Sequence, residues 1–251
     1  MKSTSFLHLI RQRMRRPFRG HSPASPVEVE RAEWVFYLKY LREGMVVFDV
    51  GSHVGELTLL LSRFVGQQGR VHAFEASSAT FKGLKAVCES CGRTNIILNH
   101  VALADRKGMV KLNVYDKEHS SWNSLAERPL HTYGIDVNPV GTEKVLATTI
   151  DSYCEENGIS RIDLLKIDVE GAEYQVLRGA RRMLQDKRVL CCVFEFGQAT
   201  FDMGNDPGET ESYLRQFGYE IRNVVKGDPV FPGRWGAGSA QFSMHVAVPK
   251  R

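Results

Sequence analysis

Short apolar runs alternate with amphipathic stretches along most of the chain. Five runs have the aliphatic and β-branched content of buried strands: MVVFDV, RVHAFE, NIILNHVAL, IDLLKID and VLCCVFEF. Apolar positions at helical spacing occur between them, near residues 28–42, 55–65, 78–91, 172–184 and 208–217. This alternation predicts an α/β fold, with a mostly parallel sheet and helices on both faces. The late segments YEIRNVV and FSMHVAVP predict a C-terminal antiparallel hairpin.

Two polar segments interrupt the alternation. Residues 116–143 form a long polar insertion, and residues 226–241 are rich in glycine and proline. Long connections inside a compact domain often serve as lids or ligand-binding loops. We therefore expect both segments to border a binding site.

The beginning of the chain differs from the rest in charge. The whole chain has a formal net charge of +4, and residues 1–27 contain six basic side chains and no acidic one. The SPASP sequence then separates this segment, so we predict a basic N-terminal tail over residues 1–26 and one domain over residues 27–251. Three roles stay open for the tail, namely a mobile tail, an amphipathic segment on an anionic membrane, or a contact with another subunit. Because the body has no basic stripe, we expect no nucleic-acid partner.

The composition, with 43% hydrophobic and 25% charged residues, is that of an ordinary folded domain. No apolar run approaches the roughly 18 residues needed to cross a bilayer, and we expect a cytoplasmic protein. The five cysteines are odd in number and lie mostly in apolar patterns, which does not favour a disulfide framework. Cys88 and Cys91 form a lone CxxC pair, for which helix packing is a better interpretation than a metal site.

The first chemical motif is a strand, a glycine turn and a helix in VVFDVGSHVGELTLLLS. Asp49 ends the strand, and Gly51 and Gly55 bracket the turn, where glycine lets the backbone approach a ligand closely. Twenty residues after Gly55, Glu75 ends a second strand, where an acid can accept hydrogen bonds from both hydroxyls of a ribose. The motif therefore predicts a nucleoside cofactor.

The charges around the turn indicate which cofactor it is. The pyrophosphate of a dinucleotide favours a helix N-terminus free of carboxylates, but Asp49 precedes this turn and Glu56 follows it. Acidic side chains favour a cationic ligand such as S-adenosylmethionine, which carries a sulfonium and an ammonium group. The alternative is a turn that only connects strand to helix.

A second polar group follows two later strands. Asp168 ends IDLLKID and Glu195 lies at the end of VLCCVFEF, so both carboxylates should face the crevice beyond the ends of the parallel strands. Lys166 precedes Asp168 by two residues and shares its side of the strand. Glu170 and Glu173 begin the next helix, where they either line the site or complement the helix dipole.

The segments VFDVGSHVGE, VHAFEA and LLKIDVEGAEYQVLRGARRML resemble the FkbM family of S-adenosylmethionine-dependent methyltransferases. The resemblance covers roughly residues 46–195 and implies a Rossmann-like class I methyltransferase fold. It also implies two groups of site residues, the cofactor contacts Asp49, Gly51, Gly55 and Glu75 and a second motif formed by Lys166, Asp168, Glu170 and Glu173. The family usually has Ala-Asn where this chain has Ser52-His53, so His53 is a candidate cofactor contact that departs from the pattern.

Transfer of a methyl group to a hydroxyl needs an in-line arrangement and a group that accepts the proton. Asp168 is our principal candidate for that group, with Lys166 adjusting its charge and Glu195 and Glu170 nearby. Two other uses of the same side chains stay open. Asp168 and Glu195 could hold Mg²⁺, or Lys166 and Asp168 could form a purely structural pair.

The two polar segments supply further candidates. Trp122, Asn123 and Ser124 are expected to cover the adenine, and Ser124 is counted among the cofactor contacts. The alternative bases in the first segment and the acceptor-side candidates in the second are His119, His131, Arg234 and Trp235.

These observations predict an S-adenosylmethionine-dependent O-methyltransferase that acts on a hydroxyl of a small molecule or a glycan. A nucleotide-dependent oxidoreductase is the first alternative, and the acids around the glycine turn disfavour it. A catalytically silent cofactor-binding module is the second, and the intact set of acidic and glycine positions disfavours it.

Overall fold

The computed structural model describes residues 24–226 and 243–250, and ten strands occur in them. Their bounds are β1 Val46–Val50, β2 Arg70–Phe74, β3 Ile96–Asn99, β4 Ala102–Leu103, β5 Gly108–Val114, β6 Gly141–Thr148, β7 Leu164–Ile167, β8 Cys192–Phe196, β9 Tyr219–Asn223 and β10 Ser243–Pro249. Seven of them form one sheet in the order β3-β2-β1-β7-β8-β10-β9. The first five of that order are parallel, and β10 is antiparallel to both β8 and β9. The predicted mostly parallel class I methyltransferase sheet with a C-terminal antiparallel hairpin is confirmed.

Eight α-helices lie in the same described residues. Their bounds are α1 Pro26–Tyr40, α2 Glu56–Val65, α3 Ser78–Ser90, α4 Ile150–Glu156, α5 Glu173–Arg178, α6 Arg181–Gln185, α7 Gln198–Asp202 and α8 Pro207–Gln216. The single helix expected over residues 172–184 is two helices, α5 and α6. The helix is interrupted at Gly179, which packs so closely that a Cβ there would lie 2.1 Å from the carbonyl oxygen of Ala104. The predicted strand NIILNHVAL is also two strands, because β3 belongs to the large sheet and β4 to a second one.

The second sheet has three strands in the order β4-β6-β5, and the sequence pattern did not predict β5 or β6. Both strands leave large apolar side chains in solvent, with Met109 61% and Leu146 57% exposed, so they lack the clean alternation of a half-buried strand. The segment between them contains two short 3₁₀ helices, Ser120–Trp122 and Leu130–Tyr133. The predicted polar insertion therefore connects β5 to β6, which form a small antiparallel hairpin. Most of the other polar segment, residues 226–241, lies outside the described residues.

Helices cover the large sheet on both faces, and the alternation of side chains along a strand decides which residue faces which helix. Val47 and Leu164 pack against Val29 and Tyr37 of α1. Phe48 and its neighbours pack on the opposite face, in a cluster with residues of α4 and α5. Asp49 on β1 and Lys166 on β7 lie two residues after Val47 and Leu164. They are register partners and face the α1 side of the sheet.

Helix α1 begins at a well-formed cap. The Ser25 hydroxyl accepts a hydrogen bond from the Glu28 N–H, and Glu28 Oε2 accepts one from the Ser25 N–H at 2.7 Å. Such a capping box satisfies two donors that the helix start leaves unpaired. The division of the chain at residue 26 stays a prediction, because residues 1–23 lie outside the described part. Within the described part, no helix combines the length and the apolar character that crossing a membrane requires.

Candidate active site

A cavity of about 630 Å³, counting its open mouth, lies beyond the carboxyl ends of β1, β2 and β7. This is the edge at which ligands bind in open α/β sheets. Four parts of the chain form its walls, namely the turn after β1, the end of β2, residues 101–103 and the connection between β5 and β6. The turn after β7 closes the remaining side.

The glycine turn after β1 packs directly against the turn after β7. Gly51 has φ +83°, and a Cβ at that position would lie 1.8 Å from the carbonyl oxygen of Asp168. Gly55 has φ +88°, and its Cβ would lie 2.6 Å from Leu84 Cδ1 of α3. Glycine is favoured at both positions because the backbone is left-handed and a side chain would meet a close neighbour. Gly51 also lines the cavity. His53, between them, has φ +48°, which is uncommon for a residue other than glycine.

Glu75 is fixed at the cavity wall by backbone donors. Its Oε2 accepts a hydrogen bond from the His53 N–H at 2.9 Å, and its Oε1 accepts one from the Ser77 N–H at 2.8 Å. Burial raises the pKa of Glu75 to about 7, although these backbone donors favour the charged form. The carboxyl is therefore held at the cavity wall by both neighbouring turns, and its contact with a ribose stays a prediction.

Asp49 lies beneath the glycine turn and is not among the residues that line the cavity. Its Oδ2 accepts a hydrogen bond from Thr58 Oγ1 at 2.5 Å, and its Oδ1 has no hydrogen-bond partner among the described residues. Burial raises the pKa of this carboxyl. Asp49 is the register partner of Lys166 on β7, so the two side chains lie next to each other on the α1 side of the sheet.

Lys166, Asp168 and Glu195 form one connected group, as their positions at strand ends suggested. Lys166 Nζ donates a hydrogen bond to Asp168 Oδ2 at 2.8 Å. Lys166 is buried, with 4% of the residue exposed. Burial alone would raise the pKa of Asp168, but the charge and hydrogen bond of Lys166 hold it below its ordinary value. Burial and the neighbouring Asp168 charge raise the pKa of Glu195 well above its usual range, which favours the protonated form of Glu195 beside the Asp168 carboxylate. Asp168 is the member of the group that lines the cavity.

Glu170 also lines the cavity and is held by a partner that sequence reasoning missed. Arg128 Nη1 donates to Glu170 Oε2 at 2.9 Å, and Arg128 Nε lies 3.6 Å from Asp202 Oδ2. Burial raises the pKa of Glu170 to about 7, although Arg128 opposes the shift. Glu170 has φ +53°, so non-glycine residues in the left-handed region occur in both turns that border the cavity.

Glu173 takes the structural role that the sequence left open. Its Oε1 accepts hydrogen bonds from the Val169 N–H at 3.0 Å and the Gly171 N–H at 3.2 Å, and the residue is 3% exposed. It closes the turn after β7 from behind and is not part of the cavity wall.

Of the three residues in the connection between β5 and β6 that were expected to cover the adenine, Asn123 lines the cavity, whereas Trp122 and Ser124 do not. Asn123 and Ser120 line the cavity, and Ser120 Oγ is hydrogen-bonded to His53 Nε2 at 3.0 Å. Trp122, expected to cover the adenine, is instead 1% exposed and packs in a separate apolar cluster, because its neighbours there are large and apolar. Ser124 lies behind the wall, where its hydroxyl donates to the Glu170 carbonyl oxygen at 2.6 Å.

The alternative candidates lie elsewhere. His119 Nδ1 is 2.8 Å from Asp116 Oδ1, His131 is exposed, and neither residue lines the cavity. Arg234 and Trp235 fall outside the described residues. The described residues contain no group of three or more His, Cys, Asp or Glu side chains arranged to hold a metal ion, and the five cysteines are free. Cys88 is buried on α3, in agreement with helix packing.

The cavity wall therefore contains three carboxyl groups, those of Glu75, Asp168 and Glu170, and no lysine or arginine. The unpaired Asp49 oxygen adds a further acceptor behind the glycine turn. An acidic cavity beside a glycine turn fits a cationic nucleoside better than a pyrophosphate.

Comparisons with known proteins agree with this chemistry. Residues 49–221, more than half of the chain, match the family described as "Methyltransferase FkbM domain". The chain is 29% identical to 31-O-demethyl-FK506 methyltransferase FkbM of Streptomyces tacrolimicus, over 78% of this chain and 81% of that protein. It is 28% identical to Methyltransferase 1 of Beauveria bassiana (strain ARSEF 2860), over 53% of this chain and 57% of that protein.

A similar fold occurs in the crystal structure of methyltransferase FkbM from Methylobacillus flagellatus KT, with a TM-score of 0.51 and 14% sequence identity. The match covers 82% of this chain but only 43% of that one, so the chain spans less than half the length of this structural neighbour.

Proposed function

The chain belongs to the FkbM methyltransferase family and uses S-adenosylmethionine as its cofactor, and we propose that it methylates a hydroxyl oxygen of a small molecule or a glycan. The observation that carries the proposal is Asp168, a carboxylate on the cavity wall kept ionised by Lys166 at 2.8 Å. The name of the Streptomyces relative describes methylation of a hydroxyl oxygen of a small molecule, which supports the same class of acceptor here.

The residues around the cavity suit the cofactor. Glu75 would accept hydrogen bonds from the ribose hydroxyls, and the backbone of Gly51 and His53 would lie along the ligand. Asn123 would contact the adenine from the connection between β5 and β6, and Gly55 and Asp49 would support the turn from behind. When bound, S-adenosylmethionine supplies a methyl group on a positively charged sulfur, and the carboxyl groups of the cavity favour that charge.

Asp168 would act on the acceptor. Its ionised carboxylate would accept a hydrogen bond from the acceptor hydroxyl and would take the proton as the carbon–oxygen bond forms and the methyl–sulfur bond breaks. Lys166 keeps Asp168 charged before the reaction, and Glu195 donates a hydrogen bond that fixes the orientation of the carboxylate. Glu170, held by Arg128, would border the acceptor on the other side of the turn. Positioning of acceptor and cofactor supplies the rest of the rate.

The test combines binding with product analysis. Calorimetry should detect S-adenosylmethionine and S-adenosylhomocysteine but not NAD, and tight NAD binding would favour the oxidoreductase alternative. Hydroxyl-bearing small molecules and oligosaccharides are then incubated with cofactor carrying an isotopically labelled methyl group. Mass spectrometry should find the label on oxygen, and a label found only on nitrogen or carbon would refute O-methylation.

A substitution tests whether Asp168 takes the proton of the acceptor hydroxyl. Asp168→Asn should leave the affinity for S-adenosylhomocysteine unchanged and lower turnover about 10²- to 10⁴-fold, the usual contribution of proton transfer. Asp186→Asn, at an exposed aspartate beside Arg188, is the control and should retain full turnover. Undiminished turnover of Asp168→Asn would remove this residue from the mechanism.

The cellular setting follows from sequence features alone. We expect a cytoplasmic enzyme, since the odd number of cysteines does not favour an oxidising compartment. We expect no nucleic-acid partner, and the basic segment over residues 1–26 is our candidate for contact with a membrane surface or another subunit.

A further inference from the structure

His53 is fixed in the glycine turn and lines the cavity. Its N–H donates a hydrogen bond to Glu75 Oε2 at 2.9 Å, and its φ of +48° is uncommon for a residue other than glycine. Strained backbone of this kind persists where the surrounding structure requires it, and it concentrates at ligand sites. The cofactor assignment uses only the backbone of this residue, which leaves the ring without a role.

The hydrogen bonds of Ser120 decide which nitrogen of the His53 ring carries the proton. Ser120 Oγ lies 3.0 Å from His53 Nε2 and 3.1 Å from the Lys117 carbonyl oxygen. A carbonyl oxygen only accepts and a serine hydroxyl has one hydrogen, so that hydrogen is donated to Lys117. Ser120 therefore accepts from His53, and Nε2 carries the proton. In the neutral ring, Nδ1 is then an unprotonated acceptor.

The Nδ1 atom of His53 is available to a ligand. It has no hydrogen-bond partner in the described part of the chain, and it is not one of the buried side-chain atoms that lack a partner, so it is accessible. Burial lowers the pKa of His53, although the charges of Glu56 and Asp168 oppose the shift, and this favours the neutral ring at neutral pH. The ring thus offers one free acceptor and no free donor.

Asp168 lines the same cavity and is also an acceptor only, because Lys166 keeps its carboxylate ionised. Asp168 and His53 belong to the two turns that pack against each other at Gly51. A molecule that contacts both groups must supply two donors. Two neighbouring hydroxyls meet this requirement, whereas a single hydroxyl has one hydrogen and can satisfy only one of the two acceptors.

We propose that the methyl acceptor carries two hydroxyls on neighbouring carbons, one that donates to Asp168 and one that donates to His53 Nδ1. This assignment rests on the proposed O-methylation and narrows its substrate class to diols and polyols. Only the hydroxyl at Asp168 gives up its proton and receives the methyl group. The other hydroxyl keeps its proton and fixes the orientation of the acceptor, so His53 determines specificity and Asp168 remains the base.

The first measurement is made without any acceptor. Nitrogen-15 NMR of the full chain with bound S-adenosylhomocysteine distinguishes protonated from unprotonated ring nitrogens, and the signals lost in His53→Leu identify His53. At about pH 8 we expect a neutral ring with its proton on Nε2. A proton on Nδ1 would overturn the proposal, because this atom would then be a donor.

The second measurement compares matched acceptors in the labelled-methyl assay. The pairs are catechol with phenol, cis-cyclohexane-1,2-diol with cyclohexanol, and any acceptor found in the screen with its analogue lacking the neighbouring hydroxyl. We expect kcat/KM to be at least about tenfold higher for the diols, since a site that binds a hydroxyl rejects the analogue without it. Equal kcat/KM within the pairs would overturn the proposal. Methylation of no oxygen in any acceptor would instead refute the proposed function.

Two variants test whether His53 causes the preference for diols. His53→Leu should lower kcat/KM for the diols about tenfold and leave the single-hydroxyl analogues unchanged. The loss should lie mainly in KM, because the second hydrogen bond exists before as well as during the reaction. Ser120→Ala keeps the ring but removes the group that sets its proton, so it should weaken the preference in the same direction. His131→Leu, at an exposed histidine outside the cavity wall, is the control and should retain the full preference.

Other roles of His53 would give different results. A ring that contacts the cofactor would make His53→Leu lose affinity for S-adenosylhomocysteine, and a ring that acts as the base would make it lower kcat for both members of a pair. A ring that only fastens the connection between β5 and β6 would lower the Tm and leave the preference unchanged. Each of these results would overturn the proposal. If His53→Leu does not fold, Ser120→Ala and the ring protonation of the wild type still decide it.

Discussion

Gly51 and Asp168 bring the two turns of the active site into direct contact, since a Cβ on Gly51 would lie 1.8 Å from the Asp168 carbonyl oxygen. The contact connects the cofactor turn after β1 to the turn that presents the proposed catalytic carboxylate. A side chain added at Gly51 would therefore displace the turn that follows β7. The packing of β1 against β7, with Asp49 opposite Lys166, continues the same contact into the sheet.

Gly51→Ala should therefore damage both turns. The substitution adds a clash with backbone atoms and places alanine at φ +83°, so we expect a loss of at least about 2 kcal/mol in the free energy of unfolding. Urea unfolding measures the change. The control is Gly83→Ala inside α3, where the nearest atom to the new Cβ is Val54 Cγ1 at 3.6 Å, and we expect a gain of about 0.5–1 kcal/mol. Equal stability of the two variants would contradict the packing argument.

Glu75 provides a test of the cofactor assignment. Glu75→Gln would remove the charge of the carboxylate that we propose as the acceptor of the ribose hydroxyls, and it keeps the size of the side chain. We expect the affinity for S-adenosylhomocysteine to fall about ten- to hundredfold, the usual range for a hydrogen bond to a charged group. Calorimetry gives the affinity, and Glu127→Gln, at an exposed glutamate, is the control that should bind normally. An unchanged affinity of the Glu75 variant would refute the ribose contact.

The buried carboxyl of Glu173 predicts a dependence of stability on pH. Burial raises its pKa to about 7, so between pH 4.5 and 7 the folded chain holds a proton that the unfolded chain has released. The free energy of unfolding must then fall as pH rises through this window. Glu173→Gln should flatten that fall by up to about 1.4 kcal/mol per pH unit, the effect of one proton. Urea unfolding at several pH values between 4.5 and 8 measures the slope.

The control for this slope is Glu155→Gln. Glu155 is an exposed glutamate whose pKa is lowered by a hydrogen bond from Arg182, so its removal should not flatten the fall. If the slope of the Glu173 variant equals that of the wild type, the carboxyl is ionised in the folded protein throughout the window.

The site residues at the carboxyl ends of strands could be predicted from the sequence. Parallel strands bring their carboxyl ends to one edge, so Glu75 and Asp168 had to lie near each other once β2 and β7 were identified. The two-residue spacing of Lys166 and Asp168 likewise predicted their contact, which the structure has at 2.8 Å. The fold class followed from the same alternation of strands and helices.

Contacts between distant loops could not be predicted in this way. Arg128 meets Glu170 across 42 positions, and no periodic pattern or motif connects them. Trp122 has the residue type of an adenine platform, but its burial depends on neighbours that a loop sequence does not specify. The strands β5 and β6 could not be predicted because some of their apolar side chains are exposed. Alternation of apolar and polar residues indicates a strand only where one face is buried and the other face is polar.

Arg128 is the residue whose loss should be most costly in the connection between β5 and β6. Its side chain is 1% exposed and contacts Glu170 and Asp202, so Arg128→Met leaves two buried carboxylates without their cation. We expect a loss of about 3–5 kcal/mol in the free energy of unfolding, as for other broken buried ion pairs. Lys111→Met is the control, because Lys111 is 57% exposed and its pair with Glu127 should contribute less than about 1 kcal/mol. Urea unfolding compares them, and Glu170→Gln in the Arg128→Met background should recover part of the loss by removing one buried charge. If Arg128→Met costs no more than Lys111→Met, the network does not fix the acceptor side of the cavity.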